Sequence, residues 1–238
     1  MKLFLIRYTK MAFVYLRLHK LFNLFSGFFI NLYYLTKFSQ WAAKNRKAGY
    51  NDFPSKWDYE KRYQLYAWVV ENEKLANAPV NYMEFGVAAG HSFRWFLKQN
   101  THPESRFYGF DTFSGLPESW GPFEKGAFSN DNKPPEINDQ RGKFFQGLFQ
   151  QTVPGFLKEI DQNKRNVILM DADIYSATLY ALTSLAPLLK KGDIVLFDEF
   201  IVPTHEFKAF SDFKQAYYID FELIAASNNY YFAAFKVT

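Results

Sequence analysis

Four acidic residues follow two apolar runs in the second half of the chain. Asp171 and Asp173 come directly after one run, and Asp198 and Glu199 come directly after the next. Converging carboxylates repel one another unless a cation lies between them, and oxygen ligands favour a hard ion, with Mg²⁺ ahead of Mn²⁺ or Ca²⁺. Such an ion could bind a substrate hydroxyl and lower its pKa. The pattern predicts a divalent-cation site here, with Asp173 the acid most typical of a simple helix cap.

A glycine-containing loop runs from Glu84 to Ser92. Gly86 and Gly90 would let the backbone approach a ligand closely. The spacing matches neither a dinucleotide-binding G-x-G-x-x-G motif nor a phosphate loop. An acid two positions before Gly86 would repel a pyrophosphate, and it suits a cationic ligand such as the amino-acid end of S-adenosylmethionine. The alternative is a tight turn that binds nothing, with Ser92 capping the next helix.

Asp111 ends the next predicted strand and is followed by Thr112. A carboxylate at this place can accept both hydroxyls of a ribose, although a solvated strand-end acid fits the same pattern. Taken together with the glycine loop, Asp111 favours a nucleoside site.

His205 lies just past the second acidic pair. It is a candidate general base within reach of the same site. A histidine in such a loop is more often simply solvated, so this assignment is one of two alternatives.

Strands and helices alternate from Val80 to the end of the chain. Strands are predicted at 80–86, 106–111, 143–146, 166–171 and 193–198, and helices at 92–99, 153–161, 176–189 and 206–217. Two last strands, 221–226 and 230–237, form a hairpin, so the final strand should run antiparallel to the rest. The alternation predicts a doubly wound α/β fold with a mostly parallel sheet. Such sheets bind ligands at the carboxyl ends of their strands, where the glycines and acids lie.

The composition fits one globular domain of generous size, with 238 residues and 48% hydrophobic positions. The absence of cysteine excludes disulfides, thiolate metal sites and a cysteine nucleophile. The aromatic content of 21% implies large, flat apolar surfaces.

The charge is distributed unevenly along the chain. Nine of the 28 basic residues and none of the 24 acidic residues precede Asp52, which leaves 19 basic against 24 acidic residues in the remainder. We therefore divide the chain into a basic, aromatic helical arm, residues 1–51, and a mildly acidic body, residues 52–238.

The polar residues of the arm are predicted to share one broad helical face. They are Lys2, Arg7, Lys10, Arg17, Lys20, Asn23 and Asn31. The uncharged stretch 21–35 is short for a transmembrane helix, and the arm lacks the features of a signal peptide. Residues 1–37 could lie on an anionic membrane surface, or they could pack on the body or on a second subunit. A nucleic-acid partner is not expected, because the aromatics do not alternate with the cations.

Five motifs between Tyr82 and Phe200 resemble the macrocin-type O-methyltransferases, a family of class I enzymes that depend on S-adenosylmethionine. The motifs are Glu84-Phe85-Gly86-Val87 with Gly90 and Ser92, the stretch 109–117, the stretch 147–154, the stretch 171–178, and Asp198-Glu199-Phe200. The resemblance implies a seven-stranded sheet, Mg²⁺ dependence and often a homo-oligomer.

The resemblance also assigns roles by motif position. Glu84, Gly86, Gly90, Ser92 and Asp111, with Thr112 beside it, would hold S-adenosylmethionine. Asp171, Asp198 and Glu199 would hold the metal, and Asp171 is also a catalytic candidate. His205, the other catalytic candidate, lies past the last motif, so the resemblance does not place the family's catalytic histidine on it. The family usually has two Asp where this chain has Asp198-Glu199, and the longer Glu shifts the ligand oxygen.

The sequence therefore predicts an Mg²⁺-assisted O-methyltransferase that acts on a hydroxyl of a sugar or glycosylated compound. A catechol-like acceptor is one alternative, and a non-catalytic protein that associates through its arm is another. The irregular stretch 118–140 is a candidate lid over the acceptor. We expect a cytoplasmic protein, peripheral at the inner face of the membrane if the arm binds lipid.

Overall fold

One twisted sheet organises the chain in a computed structural model that describes residues 2–238. Within those residues the sheet has eight strands in the order β1-β7-β8-β6-β5-β2-β3-β4. The strands are β1 (Tyr50–Asn51), β2 (Val80–Phe85), β3 (Arg106–Asp111), β4 (Gly142–Gln146), β5 (Arg165–Met170), β6 (Ile194–Phe197), β7 (Phe221–Ser227) and β8 (Phe232–Val237).

Seven α-helices accompany these strands within residues 2–238. They are α1 (Lys2–Tyr15), α2 (His19–Lys44), α3 (Lys61–Asn72), α4 (His91–Gln99), α5 (Phe149–Phe156), α6 (Tyr175–Leu185) and α7 (Glu206–Tyr217). A 3₁₀ turn, Ala186–Leu188, follows α6 and carries Pro187.

The predicted doubly wound α/β fold is confirmed. Strands β2 to β6 pair in parallel, and β8 runs antiparallel to both of its neighbours, β6 and β7. The two-residue β1 adds to the seven strands that the resemblance implies, and it pairs in parallel with β7.

Two predicted helices have different bounds in the structure. α5 begins at Phe149, earlier than expected, because the Gln151 side chain accepts a hydrogen bond from the Leu148 backbone at 3.0 Å and starts the helix there. The helix predicted at 176–189 changes to the 3₁₀ turn at Ala186, since the Pro187 nitrogen has no hydrogen to donate to an α-helical bond.

Aromatic side chains fill the space on both faces of the sheet. On one face the rings of Phe85, Phe110 and Phe145 stack in line, with centroids 4.7 and 4.9 Å apart. On the other face Tyr82 packs against Phe107 at 5.5 Å. Because successive residues of a strand point to opposite faces, β2 and β3 each supply both layers. This double-sided core holds the carboxyl ends of β2, β3, β5 and β6 in fixed positions.

The arm consists of two helices, which corrects the prediction of a single polar face. The chain turns at residues 16–18, where Arg17 has a φ of +52°, and Phe13 stacks on Phe22 across the turn at 5.4 Å. Polar residues on α1 therefore do not continue the face of α2. Among residues 2–238, no helix is both long and apolar enough to span a membrane. The predicted arm starts at residue 1, which lies outside the described residues.

The second half of the arm is attached to the body. Phe38 is 5% exposed, and its ring contacts the rings of Phe200 and Phe207 at 6.3 and 5.1 Å. Further along, Tyr50 and Asn51 pair with β7. The Tyr34 ring also lies 5.7 Å from the Lys208 ammonium of α7, so the part of the arm that projects from the body is residues 2–33.

Candidate active site

A cavity of about 730 Å³ opens at the carboxyl ends of the parallel strands. β2 lies between β3 and β5 in the sheet. The chain runs from β2 outwards to β3 and β4, and it then returns to the other side of β2 to form β5 and β6. Such a switch point is where doubly wound sheets bind ligands. The cavity has three parts: a loop side from β2 and β3, a carboxylate floor from β5 and β6, and an aromatic wall.

On the loop side, Gly86 makes a turn that requires glycine. Its φ is +92°, and a Cβ at this position would overlap the carbonyl oxygen of Asp171. The Gly86 N–H donates to the Phe110 carbonyl at 2.9 Å. The glycine therefore lets β2 and β5 approach closely where the cavity begins.

Asp111 fixes the shape of this loop. One oxygen of its carboxylate accepts hydrogen bonds from the backbone N–H groups of Val87 and Ala88, both at 2.7 Å. The other oxygen accepts one from Phe113 N–H, also at 2.7 Å. A carboxylate has about four acceptor positions, so three bonds leave about one for a ligand hydroxyl. Asp111 is thus a support for the loop as well as a residue of the cavity.

The predicted cofactor residues divide into two groups. Gly86, Asp111 and Thr112 lie on the cavity lining. Glu84, Gly90 and Ser92 lie outside it: Glu84 is 1% exposed and accepts a hydrogen bond from the Tyr82 hydroxyl. Burial raises the pKa of Glu84 well above its usual range, with Asp171 and Asp111 adding to the rise. The structure therefore places Glu84 beneath the loop.

The floor of the cavity brings four carboxylates together, as the sequence predicts. They belong to Asp171, Asp173, Asp198 and Glu199. Burial raises the pKa of Asp198 well above its usual range, with the charge of Asp171 adding to the rise. Burial also raises the pKa of Glu199 to about 7, against a hydrogen bond that its carboxylate accepts from the Tyr231 hydroxyl. Negative charge is thus crowded at this floor.

Arg62 on α3 supplies a positive charge to the floor. Its guanidinium lies 3.1 Å from the Asp198 carboxylate and 4.0 Å from that of Asp171, and it sits 5.1 Å from the centroid of the Phe232 ring. Burial lowers the pKa of Arg62, but the two carboxylates outweigh it and raise the pKa above its usual value. The five motifs do not include Arg62, so the sequence pattern gives no sign of its role.

The carboxylate floor does not fit a metal ion in this arrangement. Oxygen donors are the right type for Mg²⁺, but the Asp198 carboxylate is paired with Arg62 and the Glu199 carboxylate with Tyr231. Within residues 2–238, no group of three or more His, Asp or Glu side chains is placed to hold a metal. The ligand set Asp171, Asp198 and Glu199 therefore comes together without forming an ion site.

Asp173 faces the cavity, contrary to the prediction of a helix cap. α6 begins after Ile174 without a side-chain capping bond, and Asp173 has a φ of +60°. Burial raises the pKa of Asp173 to about 8, and the charges of Asp171 and Glu199 add to the rise. A general base works best when its pKa lies near the operating pH. Asp173 is therefore a candidate general base, by its place on the cavity lining and by its raised pKa.

His205 lies outside the cavity lining. Its Nδ1 accepts a hydrogen bond from the Tyr175 backbone at 3.3 Å, and its ring lies 6.2 Å from that of Trp120. Burial lowers the pKa of His205, against the charge of Glu118. The geometry gives His205 a structural contact behind the wall, and its role as a base stays a prediction.

The wall of the cavity comes largely from the irregular segment 112–141. The Trp120 and Phe123 rings stack at 5.4 Å, and Phe128 packs on Phe123 at 4.8 Å. Tyr59 and Tyr231 face the floor from other parts of the chain. Ligand pockets combine such apolar surfaces with a few polar groups.

Comparison with known proteins identifies the central part of the chain. Residues 83–200 match the family model described as a methyltransferase domain. A curated protein of Streptomyces olivaceus, 8-demethyl-8-(2,3-dimethoxy-alpha-L-rhamnosyl)-tetracenomycin-C 4'-O-methyltransferase, is 26% identical over 165 residues. The match covers 60% of this chain and 61% of that protein, so the chain spans about three fifths of the relative's length.

Solved structures share the fold. The calicheamicin methyltransferase CalS11 is 23% identical with a TM-score of 0.58, and the match covers 75% of this chain and 80% of that one. The O-methyltransferase NovP is 22% identical with a TM-score of 0.56, covering 75% and 78%. The comparisons confirm the class I fold, and they support the resemblance to O-methyltransferases that use S-adenosylmethionine, because residues 83–200 match a methyltransferase domain.

The raised pKa of Asp173 makes stability depend on pH. Its folded-state pKa lies above the unfolded value, so its contribution is fully present below about pH 4 and is lost as pH rises towards 8. Asp173→Asn should therefore be more stable than wild type at pH 8, by on the order of 2 kcal/mol or about 5 °C in Tm, with the gain shrinking towards pH 5. Thermal unfolding monitored by circular dichroism at several pH values measures this. Parallel Tm curves for the two proteins would contradict it.

Proposed function

We propose that this protein transfers a methyl group from S-adenosylmethionine to a hydroxyl of a saccharide or glycosylated compound. The observation that carries the proposal is one cavity that joins the Gly86 loop and Asp111 to Asp173 on the floor. A cofactor seated on the loop and an acceptor seated at the wall would meet above the carboxylates. The methyltransferase domain at residues 83–200 supports this arrangement.

The loop side is the proposed cofactor site. Backbone at Gly86, the free acceptor position of Asp111 and the neighbouring Thr112 would contact the nucleoside. Thr112 donates its hydroxyl hydrogen to the Gly115 carbonyl at 3.0 Å, which fixes the turn that follows β3. Glu84, Gly90 and Ser92 would act indirectly, by shaping the loop.

Asp173 is the proposed general base for the transfer. S-adenosylmethionine, when bound, supplies a methyl carbon on a positively charged sulfur. The Asp173 carboxylate would accept the proton of the acceptor hydroxyl while the acceptor oxygen forms a bond to that carbon. The carbon–sulfur bond breaks with its electron pair left on sulfur, so the products are a methyl ether, a neutral thioether and protonated Asp173. This balance needs no further reactant.

Magnesium is the sequence-based proposal for positioning the acceptor. A solved structure described as cmcI-D160 Mg-SAM pairs magnesium with the cofactor in that protein, which is 18% identical with a TM-score of 0.51 and matches 84% of each chain. In the present chain Arg62 is paired with the carboxylates that would bind the ion. The transfer step above therefore contains no metal.

The aromatic wall supports a sugar acceptor. The apolar face of a sugar ring can pack on aromatic side chains such as Trp120 while its hydroxyls face the carboxylates. The name of the Streptomyces olivaceus relative describes methylation on a rhamnosyl group. CalS11 is itself described as a TDP-rhamnose 3'-O-methyltransferase.

A transfer assay tests the proposed function. The full-length protein should move radiolabelled methyl from S-adenosylmethionine to a rhamnoside and leave catechol unmethylated. Asp173→Asn should lower kcat by about 10²- to 10⁴-fold, the usual contribution of a general base. Asp161→Asn, which changes an exposed acid at the opposite end of β5, is the matched control and should keep full activity. Faster transfer to catechol than to every glycoside would sink the sugar assignment, and no transfer to any acceptor would favour a non-catalytic role.

We also propose that residues 2–33 dock on an anionic membrane surface. All residues of α1 are exposed, and large apolar side chains on α2 are exposed as well, among them Leu24 at 82% and Phe28 at 65%. Exposed apolar surface of this extent marks an interaction site. The cations of the arm, with no acidic residue before Asp52, select a negatively charged partner.

The root of the arm packs next to the carboxylate floor. Trp41 packs on Phe200 and Phe207 at 5.1 and 6.0 Å, and Phe200 follows the floor acids directly. An arm lying on a membrane would therefore hold the cavity near lipid. A lipid-linked or surface glycan is the acceptor that this placement favours.

Liposome flotation tests the arm. The full-length protein should float with vesicles that contain phosphatidylglycerol and remain in solution with phosphatidylcholine alone. Arg7→Glu with Lys10→Glu should weaken binding by about tenfold or more, at roughly 1 kcal/mol per cation. Lys98→Glu with Lys158→Glu, the same charge change on the body, should float like wild type. Equal flotation with both kinds of vesicle would contradict the proposal. A protein that forms dimers and does not float would indicate that the arm binds a second copy of the chain.

A further inference from the structure

We infer that the Arg62 guanidinium is the resident cation of the carboxylate floor, in the place that the sequence assigns to a magnesium ion. The inference is that Arg62 prevents a divalent cation from binding to the carboxylates. It follows that methyl transfer does not depend on a metal, and this consequence rests on the proposed function.

Arg62 stands where an ion would have to bind. Its guanidinium reaches two of the three predicted metal ligands, at 3.1 Å for Asp198 and 4.0 Å for Asp171. The Asp198 side chain is 3% exposed and that of Arg62 is 23% exposed, so the pair is largely shielded from water. Mg²⁺ needs its ligand oxygens at about 2.0–2.1 Å in near-octahedral geometry. An ion could not contact both carboxylates unless Arg62 moved away.

The surroundings of Arg62 hold it in this place. Its guanidinium packs on the Phe232 ring at 5.1 Å, an arrangement that favours a cation on the aromatic face. The preceding residue, Lys61, forms an ion pair with Asp52 at 2.9 Å, which ties the start of α3 to the chain before it. Moving the Arg62 guanidinium would therefore break its contacts with Asp198 and with the Phe232 ring.

Glu199 gives independent support. The resemblance implies an Asp at this position, and the longer side chain reaches the Tyr231 hydroxyl, from which it accepts a hydrogen bond. One oxygen of the third predicted ligand is thus engaged by a protein group, while its Oε2 is buried without a hydrogen-bond partner. The Glu199 substitution and the position of Arg62 both reduce the number of carboxylate oxygens that are free to bind a metal ion.

Arginine also suits the task chemically. The guanidinium carries five N–H donors in a rigid, planar fork and stays charged at all physiological pH values. Arg62 lines the cavity, so N–H groups not used by Asp198 can donate to the oxygen of an acceptor hydroxyl. A fixed donor of this kind stabilises negative charge that develops on that oxygen.

Calorimetric titration of Mn²⁺ into the full-length protein tests the inference without an acceptor. Wild type should bind Mn²⁺ with a Kd weaker than about 1 mM. Arg62→Gln, which frees the carboxylates, should bind it at least tenfold more tightly, and added Mn²⁺ should raise the Tm of this variant alone. Without the ion its Tm should lie about 5–10 °C below wild type. Lys143→Gln removes a cation from an exposed pair with Glu159 and should behave as wild type.

Each outcome of the titration decides the question. Wild-type binding tighter than about 1 mM would overturn the inference, and this result needs no folded variant. The absence of binding in both wild type and a folded Arg62→Gln would also overturn it, since Arg62 would then not occupy an ion's place. Binding of S-adenosylhomocysteine, measured in parallel, separates this question from the proposed function. A wild type that binds neither the ion nor S-adenosylhomocysteine would keep Arg62 as the cation and remove the cofactor proposal.

Discussion

Four carboxylates meet at the carboxyl ends of β5 and β6, and their mutual repulsion is the constraint around which the cavity is built. Uncompensated charges in a buried site cost several kcal/mol each, so the fold must supply a cation, hydrogen-bond donors or protons. Here Arg62 faces Asp198, the Tyr231 hydroxyl faces Glu199, and Asp173 is left with a pKa of about 8. Asp173, the acid without a dedicated partner, is the one that we propose takes a proton from an acceptor.

The groups that satisfy this constraint come from elements outside residues 83–200. Arg62 belongs to α3, and Tyr231 directly precedes β8, the reversed strand beside β6. The arm is joined to the same region, because Phe38 and Trp41 pack on Phe200. The methyltransferase domain thus contributes the loop and the acids, while the flanking segments complete the charge balance and link the cavity to the arm. Tests of the proposed transfer and of the proposed membrane contact therefore need the whole chain.

Much of the fold and part of the site could be predicted from the sequence. Apolar runs between turn residues locate parallel strands, and β3 and α7 have the predicted bounds. Residues placed by strand ends, such as Gly86, Asp111 and Asp171, reach the cavity as expected. Arg62 could not be found in this way because only tertiary packing brings α3 to the floor. The sequence favours a cap for Asp173 because the positive φ that turns this residue inward has no sequence signal.

The central claim is that the loop side of the cavity binds the cofactor nucleoside through Asp111. Calorimetric titration of S-adenosylhomocysteine into wild type and Asp111→Ala tests it most directly. The account predicts binding to wild type and a loss of at least about 100-fold in the variant, because the substitution removes the ribose contact and the three hydrogen bonds that shape the loop. Equal binding by both proteins, or binding by neither, would contradict the account.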